Sequence, residues 1–348
     1  MEFISEYGLF LAKAITFVLT VVITLIAITA IVSKQKNKKG ELNLIDLSEQ
    51  LKETKKSIEE QLLTSHQLKE RHKIEKKELK EKDKQEKKAA KKGETKDGLP
   101  QLYVIDFKGS IDAKEVASLR EEITAILSVA SEEDEVFLRL ESGGGMVHAY
   151  GLAASQLQRI KDHNIPLTIS VDKVAASGGY MMACIADKII SAPFAILGSI
   201  GVIAQIPNFN RLLKKHDIEF EQLTAGEYKR TLTMFGENDQ VGRDKFKQEL
   251  QETHDLFKQF VTEHRSQIDI NKVATGEHWY GLQAIERKLV DKISTSDDYL
   301  ISQLDNRHII QIKYIQRKKL ADKLSHAASM AIENSLFKLM QLNINRLF

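Results

Sequence analysis

The sequence Val-Ala-Ala-Ser-Gly-Gly-Tyr at residues 174–180 places one hydroxyl among small residues, where the pattern predicts a strand that turns sharply into a helix. We call this stretch the serine turn. A serine in such a turn is exposed, and the N–H of the next residue can face a carbonyl oxygen bonded to it. An isolated Ala-Ser-Gly-Gly is more often only a tight turn of small residues, so a functional interpretation needs support from elsewhere in the chain.

A second glycine-rich stretch lies upstream. Residues 142–145 read Ser-Gly-Gly-Gly and follow a strand pattern at 136–140; we call them the glycine turn. Glycine has no Cβ, so it permits a positive φ and the close approach of a substrate. Ligands of open α/β sheets bind beyond the carboxyl ends of strands. Two glycine-rich turns that each follow a strand can therefore point backbone N–H groups at one oxygen atom.

The segments around both turns alternate between strand and helix patterns. Strand patterns occur at 102–107, 136–140, 167–171, 188–191 and 196–203, and helical patterns at 113–129, 147–161, 178–186 and 241–264. Alternation of this kind predicts an α/β domain with crossover connections.

The composition excludes several kinds of site. The chain of 348 residues has a net charge of +2, from 51 basic and 49 acidic residues, which points to no nucleic-acid partner. Its single cysteine, Cys184, excludes an internal disulfide and lies in an apolar run typical of a buried small side chain. The sequence has no Cys/His pattern with metal-ligand spacing and no Walker loop.

A serine nucleophile needs a base, and Lys229 is the candidate. No histidine stands out near Ser177 in the motif pattern. A lysine acts as a base only when desolvation lowers its pKa from about 10.4 towards neutrality. Taken alone, Lys229 is better interpreted as an ordinary solvated lysine, so its assignment depends on the wider set of motifs.

The N-terminal region predicts a membrane anchor. Residues 14–32 carry no charged side chain and are mostly Ile, Val, Leu, Thr and Ala. At a rise of about 1.5 Å per residue such a helix is about 28 Å long, close to the hydrocarbon thickness of a bilayer. A cleaved signal peptide is the alternative, but Glu2 and Glu6 precede the stretch and no small-residue cleavage pattern follows it. We therefore expect a retained anchor in contact with lipid.

Charged sequence separates the anchor from the α/β pattern. Residues 41–92 are rich in Lys, Glu and Gln without proline, which predicts a charged helical stalk or spacer. Residues 315–348 show helical spacing of apolar side chains, which favours core packing or an oligomer contact. The expected divisions are an anchor with its basic flank (1–40), a stalk (41–98), the α/β domain (99–300) and a C-terminal helical extension (301–348).

Further motifs accompany the two turns. Residues 198–202 read Gly-Ser-Ile-Gly-Val, and three later motifs are Ala-Gly-Glu-Tyr-Lys at 225–229, Tyr-Gly-Leu-Gln-Ala at 280–284 and Lys-Leu-Val-Asp at 288–291. Together with the two turns, and in this order along the chain, these motifs resemble those of the signal peptide peptidase A family of serine–lysine membrane peptidases. The resemblance is closest to the SohB-type branch of that family. The resemblance covers residues 102–293, and the anchor, the stalk and the single peptidase unit also match that branch.

The resemblance implies roles for five residues. Ser177 matches the family's nucleophile and Lys229 its general base. Ser199 matches a hydroxyl that orients the lysine. Gly178 supplies one N–H of the oxyanion hole, and Gly144 is the expected second donor.

One position departs from the family pattern. The family usually has proline where this chain has Gly143, and glycine does not pre-set φ as proline does. The oxyanion hole is then less preorganised, or the donating glycine shifts by one position. A single oxyanion donor is worth about 3 kcal/mol, so the departure affects efficiency more than reaction type.

The same resemblance implies the fold, the activity and the setting. The fold is α/β of the ClpP/crotonase type, with ββα units wound into a superhelix, preceded by a transmembrane helix and a charged helical stalk. The activity is that of a serine endopeptidase acting on peptides or unfolded segments near the bilayer, without cofactors, in a homo-oligomer whose sites neighbouring subunits complete. The setting is the bacterial inner membrane, with a single N-terminal span.

The side of the membrane and two other functions stay open. Lysines at 34–39 favour a cytoplasmic catalytic domain, whereas the family is usually considered to face outward. A crotonase-like acyl-CoA enzyme shares the fold and the paired amides but does not require Ser177 together with Lys229. A membrane-tethered scaffold without catalysis is the other alternative. The presence of Ser177, Ser199 and Lys229 together argues against it, whereas the departure at Gly143 is compatible with it.

Overall fold

The computed structural model describes residues 40–64, 66–71 and 99–316, with scattered positions within 13–23 and 73–81. Most of the predicted anchor and everything from residue 317 onward lie outside the described part, so the anchor stays a prediction. Among the described residues, no helix is both long and apolar enough to cross a bilayer. Residues Asn43–Lys313 form one compact unit.

The elements are numbered in chain order. The strands are β1 (Glu41–Asp46), β2 (Gln101–Lys108), β3 (Glu135–Glu141), β4 (Leu167–Val171), β5 (Val174–Ala176), β6 (Lys188–Ser191), β7 (Ile196–Gly198), β8 (His278–Tyr280), β9 (Lys292–Ile293) and β10 (His308–Ile315). The helices are α1 (Leu47–Leu62), α2 (Val116–Leu127), α3 (Val147–Asp162), α4 (Gly178–Ala183), α5 (Asn210–Lys215), α6 (Gln240–His264), α7 (Ile270–Val273), α8 (Gly281–Glu286) and α9 (Ser296–Gln303).

A seven-stranded sheet contains most of the strands, in the order β1-β10-β2-β3-β4-β6-β9. The neighbours from β10 to β9 are all parallel. A second sheet has the order β5-β7-β8, with β5 and β7 parallel and β8 antiparallel to β7. Parallel neighbours require crossover connections. The α/β class predicted from the alternation of patterns is confirmed.

The central strands are apolar on both faces because helices cover both. In β2, Tyr103, Ile105 and Phe107 belong to the main core, whereas Leu102 and Val104 belong to a second cluster on the opposite face. The main core also contains the buried sides of α2, α3 and α4, and the second cluster contains that of α9.

Helix α3 follows the glycine turn and buries one side along its length. Its buried apolar residues recur at intervals of three and four and are Tyr150, Ala153, Ala154, Leu157 and Ile160. The helix packs against α4, which begins directly after Ser177. Because Tyr150 is in the first turns of α3, it lies close to both glycine-rich turns.

Residues 41–46, which were expected to begin a charged helical stalk, form strand β1 at the edge of the sheet. Asp46 Oδ2 lies 2.8 Å from His308 Nε2. Ser48 is buried, and its hydroxyl accepts the Ile309 N–H at 2.8 Å. A short edge strand that is largely exposed on both faces has little alternation of polarity, so its sequence does not stand out from the charged residues that follow it.

Part of the expected C-terminal helical extension is also a strand, since residues 308–315 form β10. Helix α9 ends at Gln303, and β10 lies between β1 and β2 in the sheet. Ile309 and Ile312 are buried on opposite faces of that strand's sheet. The sequence of β10, His-Ile-Ile-Gln-Ile-Lys-Tyr-Ile, is rich in β-branched residues. The rest of the predicted extension lies outside the described residues.

Candidate active site

The structure places Ser177 at the junction of β5 and α4, with φ 53° and ψ −120°. Residues other than glycine rarely adopt a positive φ. The Ser177 N–H donates to Gly198 O at 2.8 Å, and its carbonyl accepts the Met181 N–H at 3.0 Å. These bonds hold a conformation that costs about 1–3 kcal/mol, and strain of this kind is concentrated at functional sites. The Ser177 side chain is half-buried and does not cap α4.

The two glycines after Ser177 are required by packing. A Cβ on Gly178 would overlap the ring of Tyr150, and a Cβ on Gly179 would lie 2.5 Å from Ser142 O. The first N–H of a helix has no intrahelical acceptor, so the N–H of Gly178 stays available as a donor.

The glycine turn packs directly on the serine turn. Gly144 has φ 87°, and a Cβ there would lie 2.7 Å from Gly178 N and 2.8 Å from Ser177 Cβ. The structure therefore brings Gly144, Gly178 and Ser177 together. The Gly144 N–H donates to Ser142 Oγ at 3.1 Å, so this amide already has an acceptor in the present conformation.

A chain of hydrogen bonds runs from the glycine turn into the core. Ser142 Oγ, which accepts the Gly144 N–H, lies 2.5 Å from Tyr150 Oη, and that hydroxyl donates to Ser110 O at 2.9 Å. Burial raises the pKa of the Tyr150 phenol, so the group keeps its proton over the physiological range. The sequence pattern places Tyr150 only within the predicted helix at 147–161 and does not show which groups its hydroxyl contacts.

Ser199 lies beside the serine turn. Strands β5 and β7 are parallel neighbours in which Ala176 pairs with Gly198, so Ser177 and Ser199 follow the ends of adjacent strands. Ser199 also has a positive φ, 50°, and its N–H donates to Glu277 O at 2.6 Å. Of the predicted site residues, four therefore lie around these two strand ends.

Lys229 is placed differently. It belongs to residues 202–239, which we call the lysine segment and which contain only the short helix α5. Lys229 is exposed, and no hydrogen bond joins it to Ser177 in the described part of the chain. Its side chain lines a cavity of about 860 Å³ together with Gln205, Leu223 and Arg230, and Ser177 is not part of that lining. A single copy of the chain does not bring the predicted base to the predicted nucleophile.

Large apolar side chains of the lysine segment are also exposed. They are Ile203, Ile206, Phe209, Leu212, Ile218, Phe220, Leu223, Tyr228, Met234 and Phe235. An excess of exposed large apolar side chains in one segment is typical of a surface that contacts another protein or a membrane.

The motif at 288–291 has a structural role. Asp291 accepts two hydrogen bonds from the buried guanidinium of Arg265, at 2.8 and 2.9 Å, and one from Ile189 N at 2.7 Å. Tyr180, at the end of the serine turn, donates its hydroxyl to Leu289 O at 2.9 Å. The hydrogen bond from Tyr180 anchors α4 to the motif at 288–291.

Two further kinds of reactive group bear on chemistry in the described part of the chain, the cysteine thiol and clusters of metal-ligating side chains. Cys184 is buried, and burial raises the pKa of its thiol well above the usual range, so the thiol is not a nucleophile. Among the described residues, no group of His, Cys, Asp and Glu side chains could hold a metal ion.

Comparison with known proteins identifies the family. Residues 2–157 match the family described as "Peptidase family S49 N-terminal", and residues 159–310 match "Peptidase family S49". This chain belongs to peptidase family S49. The junction between the two matched regions falls inside helix α3, so it is not a structural boundary.

Two similar proteins carry the name of the branch that the motifs resemble. The chain is 51% identical to the "Probable protease SohB" of Haemophilus influenzae over 339 residues, which cover 97% of this chain and 96% of that protein. It is 52% identical to the "Probable protease SohB" of Buchnera aphidicola subsp. Acyrthosiphon pisum over 339 residues, covering 97% and 98%. It is 27% identical to "Protease 4" of Haemophilus influenzae over 206 residues, covering 57% and 33%.

The family assignment confirms the resemblance seen in the motifs, and the chain is a SohB-type S49 peptidase. The large parallel sheet fits the ClpP-type fold expected of this family. Protease and hydrolase activity follow from the S49 membership.

Proposed function

We propose that this S49 peptidase is a membrane-anchored serine endopeptidase that hydrolyses peptides or unfolded segments near the bilayer, with Ser177 as nucleophile and Lys229 as general base. The observation that supports it best is the strained turn at Ser177, on which Gly144 packs so closely that a Cβ there would lie 2.7 Å from Gly178 N. A strained serine beside closely packed backbone amides suits acyl transfer, because developing negative charge can be bound without reorganisation.

The reaction begins with the neutral amine of Lys229 taking the Ser177 hydroxyl proton while Oγ attacks the carbonyl carbon of a peptide bond. The Gly178 N–H and a second N–H from the glycine turn bind the resulting oxyanion. Gly144 is the expected second donor, and Gly145 takes this role if Gly144 keeps its bond to Ser142 Oγ. The lysine then protonates the leaving amine, and water hydrolyses the acyl-enzyme ester.

Ser199 orients the lysine in this proposal. Its backbone follows the strand adjacent to Ser177, which places a second hydroxyl-bearing residue next to the nucleophile. A hydroxyl can accept a hydrogen bond from an ammonium group and donate one to a neutral amine, so it can hold the base in either state.

The dyad forms between copies of the chain in a homo-oligomer. Lys229 is exposed on a segment rich in exposed apolar side chains, and it makes no hydrogen bond to Ser177 of the same copy within the described residues. Packing of the lysine segment against a second copy would bury apolar surface and desolvate the lysine, which favours its neutral form.

The membrane anchor is residues 14–32, and the protein is proposed to reside in the bacterial inner membrane with lipid around that span. No nucleic-acid partner and no cofactor enter the proposal. A C-terminal reporter that functions on only one side of the membrane assigns the side of the catalytic domain.

The test compares four versions of the full-length protein in detergent or liposomes: unchanged, Ser177→Ala, Lys229→Ala and Lys215→Ala. Lys215 is an exposed lysine of the same segment and serves as the matched control. We expect turnover of an unstructured peptide to fall about 10³-fold or more in the Ser177 and Lys229 variants and to persist in the Lys215 variant. Mixing Ser177→Ala with Lys229→Ala subunits restores part of the activity if the dyad forms between copies.

Other outcomes would redirect the proposal. Activity that survives Lys229→Ala means that another group is the base. Mixed subunits that stay inactive, after subunit exchange has been demonstrated, place both residues of the dyad in one chain. An unchanged protein that is assembled but inactive on all peptides favours the scaffold function over catalysis.

A further inference from the structure

Tyr150 contacts both turns of the candidate active site from inside the protein. Its ring packs so closely on Gly178 that a Cβ there would overlap it. Its hydroxyl lies 2.5 Å from Ser142 Oγ, which accepts the Gly144 N–H at 3.1 Å. The side chain is 0% exposed. One buried side chain therefore links the amide after the nucleophile to the turn that supplies the second amide.

In the chain of hydrogen bonds from Gly144 through Ser142 and Tyr150 to Ser110, each group donates to the next in one direction. Ser110 O is a carbonyl oxygen and can only accept, so Tyr150 uses its one proton there, at 2.9 Å. The Ser142 hydroxyl must then donate to Tyr150 Oη, and Ser142 Oγ is left as the acceptor for Gly144. Bonds aligned in this way strengthen one another in a medium of low dielectric constant.

The far end of the chain of bonds is also fixed. The Ser110 N–H donates to Glu115 Oε2 at 3.0 Å, at the start of α2. Beside it, a Cβ on Gly109 would overlap Tyr150 Oη and lie 2.8 Å from Ser142 Oγ, so the backbone lies against both hydroxyls. The Ser110 carbonyl, which accepts the Tyr150 hydroxyl, also accepts the Ala113 N–H at 3.0 Å, and this bond ties it to the turn that leads into α2.

We propose that Tyr150 is a positioning residue for peptide hydrolysis: through Ser142 it fixes the glycine turn relative to the serine turn and so sets the distance between the two oxyanion donors. This inference rests on the proposed function. Tyr150 touches neither substrate nor the reacting atoms. A displaced donor weakens binding of the oxyanion but not binding of the substrate, so kcat falls while KM changes little.

The test uses Tyr150→Phe in the full-length, assembled protein. The phenyl ring keeps its contact with Gly178, and only the hydroxyl is lost. We expect kcat to fall about 10- to 100-fold, with KM within about threefold, because small misplacements of catalytic groups have effects of this size. A peptide aldehyde, which forms a tetrahedral adduct with Ser177, should lose affinity by the same factor as kcat/KM.

Ser142→Ala removes the same link one step earlier. It should lower kcat to a similar extent, and the double variant should lose less than the product of the two single losses, because both residues act through one chain of bonds. If Tyr150→Phe does not fold, Ser142→Ala carries the same kinetic and aldehyde measurements.

Tyr299→Phe is the control. Tyr299 is also buried, and its hydroxyl lies 2.5 Å from Glu135 Oε1 in the second cluster, on the opposite face of the sheet. It should lower the melting temperature while kcat stays within about twofold. The inference is overturned if Tyr150→Phe keeps kcat within threefold, if the loss lies in KM, or if Tyr299→Phe loses kcat equally.

Ser177→Ala, measured in parallel, separates this inference from the proposed function. Turnover that does not depend on Ser177 overturns both. Turnover that depends on Ser177 but is indifferent to the Tyr150 and Ser142 hydroxyls overturns only the positioning role.

Discussion

The two halves of the proposed dyad lie in regions with opposite properties. Ser177 lies between a buried strand and a buried helix, and backbone bonds to Gly198 and Met181 hold its strained conformation. Lys229 lies in the lysine segment, where most side chains are exposed and α5 is the one helix described. Folding of a single chain therefore fixes the proposed nucleophile and the proposed oxyanion donors, whereas the proposed base lies on a segment with little core of its own.

This contrast suggests where control over activity resides. Under the proposed function, an unassembled chain has a formed serine turn but no base beside it, and assembly supplies the base. A peptidase arranged in this way is inactive until it has associated, which limits unintended hydrolysis by free subunits.

The largest expected effect compares two glycines with positive φ. A Cβ on Gly144 (φ 87°) would lie 2.7 Å from Gly178 N, whereas a Cβ on Gly226 (φ 99°) would meet only Lys229 Cβ, at 3.9 Å. Gly144→Ala should lower kcat/KM about 100-fold or more by displacing an oxyanion donor and should unfold at lower urea. Gly226→Ala should lower the free energy of unfolding by only about 1–2 kcal/mol, the cost of an alanine in a left-handed backbone conformation. Equal losses of stability in the two variants would contradict the packing difference.

The next prediction tests the exposed surface of the lysine segment. Leu223 is 87% exposed, and Val129, in the loop after α2, is 70% exposed. Leu223→Asp should weaken self-association about tenfold or more, because burial of a leucine contributes about 1.5–3 kcal/mol and a buried aspartate costs further free energy. Val129→Asp should not change association. Sedimentation velocity measures both, and an unchanged oligomer in the Leu223 variant would remove the segment from the interface.

A smaller effect isolates the strain at Ser177. Replacing the serine by glycine removes the left-handed penalty, which is about 1–2 kcal/mol, while glycine's extra freedom in the unfolded state offsets part of it. Ser177→Gly should therefore have a free energy of unfolding about 1 kcal/mol above that of Ser177→Ala. Both variants lack the hydroxyl, so urea unfolding of the pair reports the backbone alone. Identical midpoints would mean that Ser177 is not strained in solution.

The smallest effect concerns the contact between Asp46, at the end of β1, and His308, at the start of β10. Partial burial raises the pKa of Asp46. The Glu49 N–H and His308 lower this pKa by more than burial raises it, so the net shift is downward. A lowered carboxyl pKa stabilises the folded state above the unfolded value, and this stabilisation is lost as pH falls through the folded value, below about pH 4. Asp46→Asn should reduce this acid-dependent stabilisation by less than about 1 kcal/mol, because both side chains of the pair are partly exposed and solvent screens their interaction. Thermal unfolding between pH 3 and pH 7 tests it, and identical pH dependence in both proteins would contradict it.

Sequence patterns predicted the parts of the fold where buried strands meet glycine-rich turns. β2 and β3 are nearly continuous apolar runs, and Ser177 follows a strand and precedes a helix as its neighbours indicate. Strands β1 and β10 were missed. β1 is exposed and merges with charged sequence, and β10 was assigned to the helical tail that follows it.

The candidate site divides in the same way. Gly144, Ser177, Gly178 and Ser199 lie close together because each follows a strand, which is a property that sequence patterns show. The role of the Tyr150 hydroxyl depends on contacts with Ser142 and Ser110, 8 and 40 positions away, which helical periodicity does not contain. The position of Lys229 depends on a segment without a buried face of its own, so nothing in its local pattern fixes where it lies.

The single buried cysteine makes the protein suitable for site-directed cross-linking. Cys184 is the one cysteine of the chain, and its buried, protonated thiol should not react with maleimides or bifunctional reagents. New cysteines can therefore be introduced in pairs without removing the native one. Ser199→Cys in one copy and Lys229→Cys in another would report directly, as covalent dimers on a gel, whether neighbouring subunits meet at the serine turn.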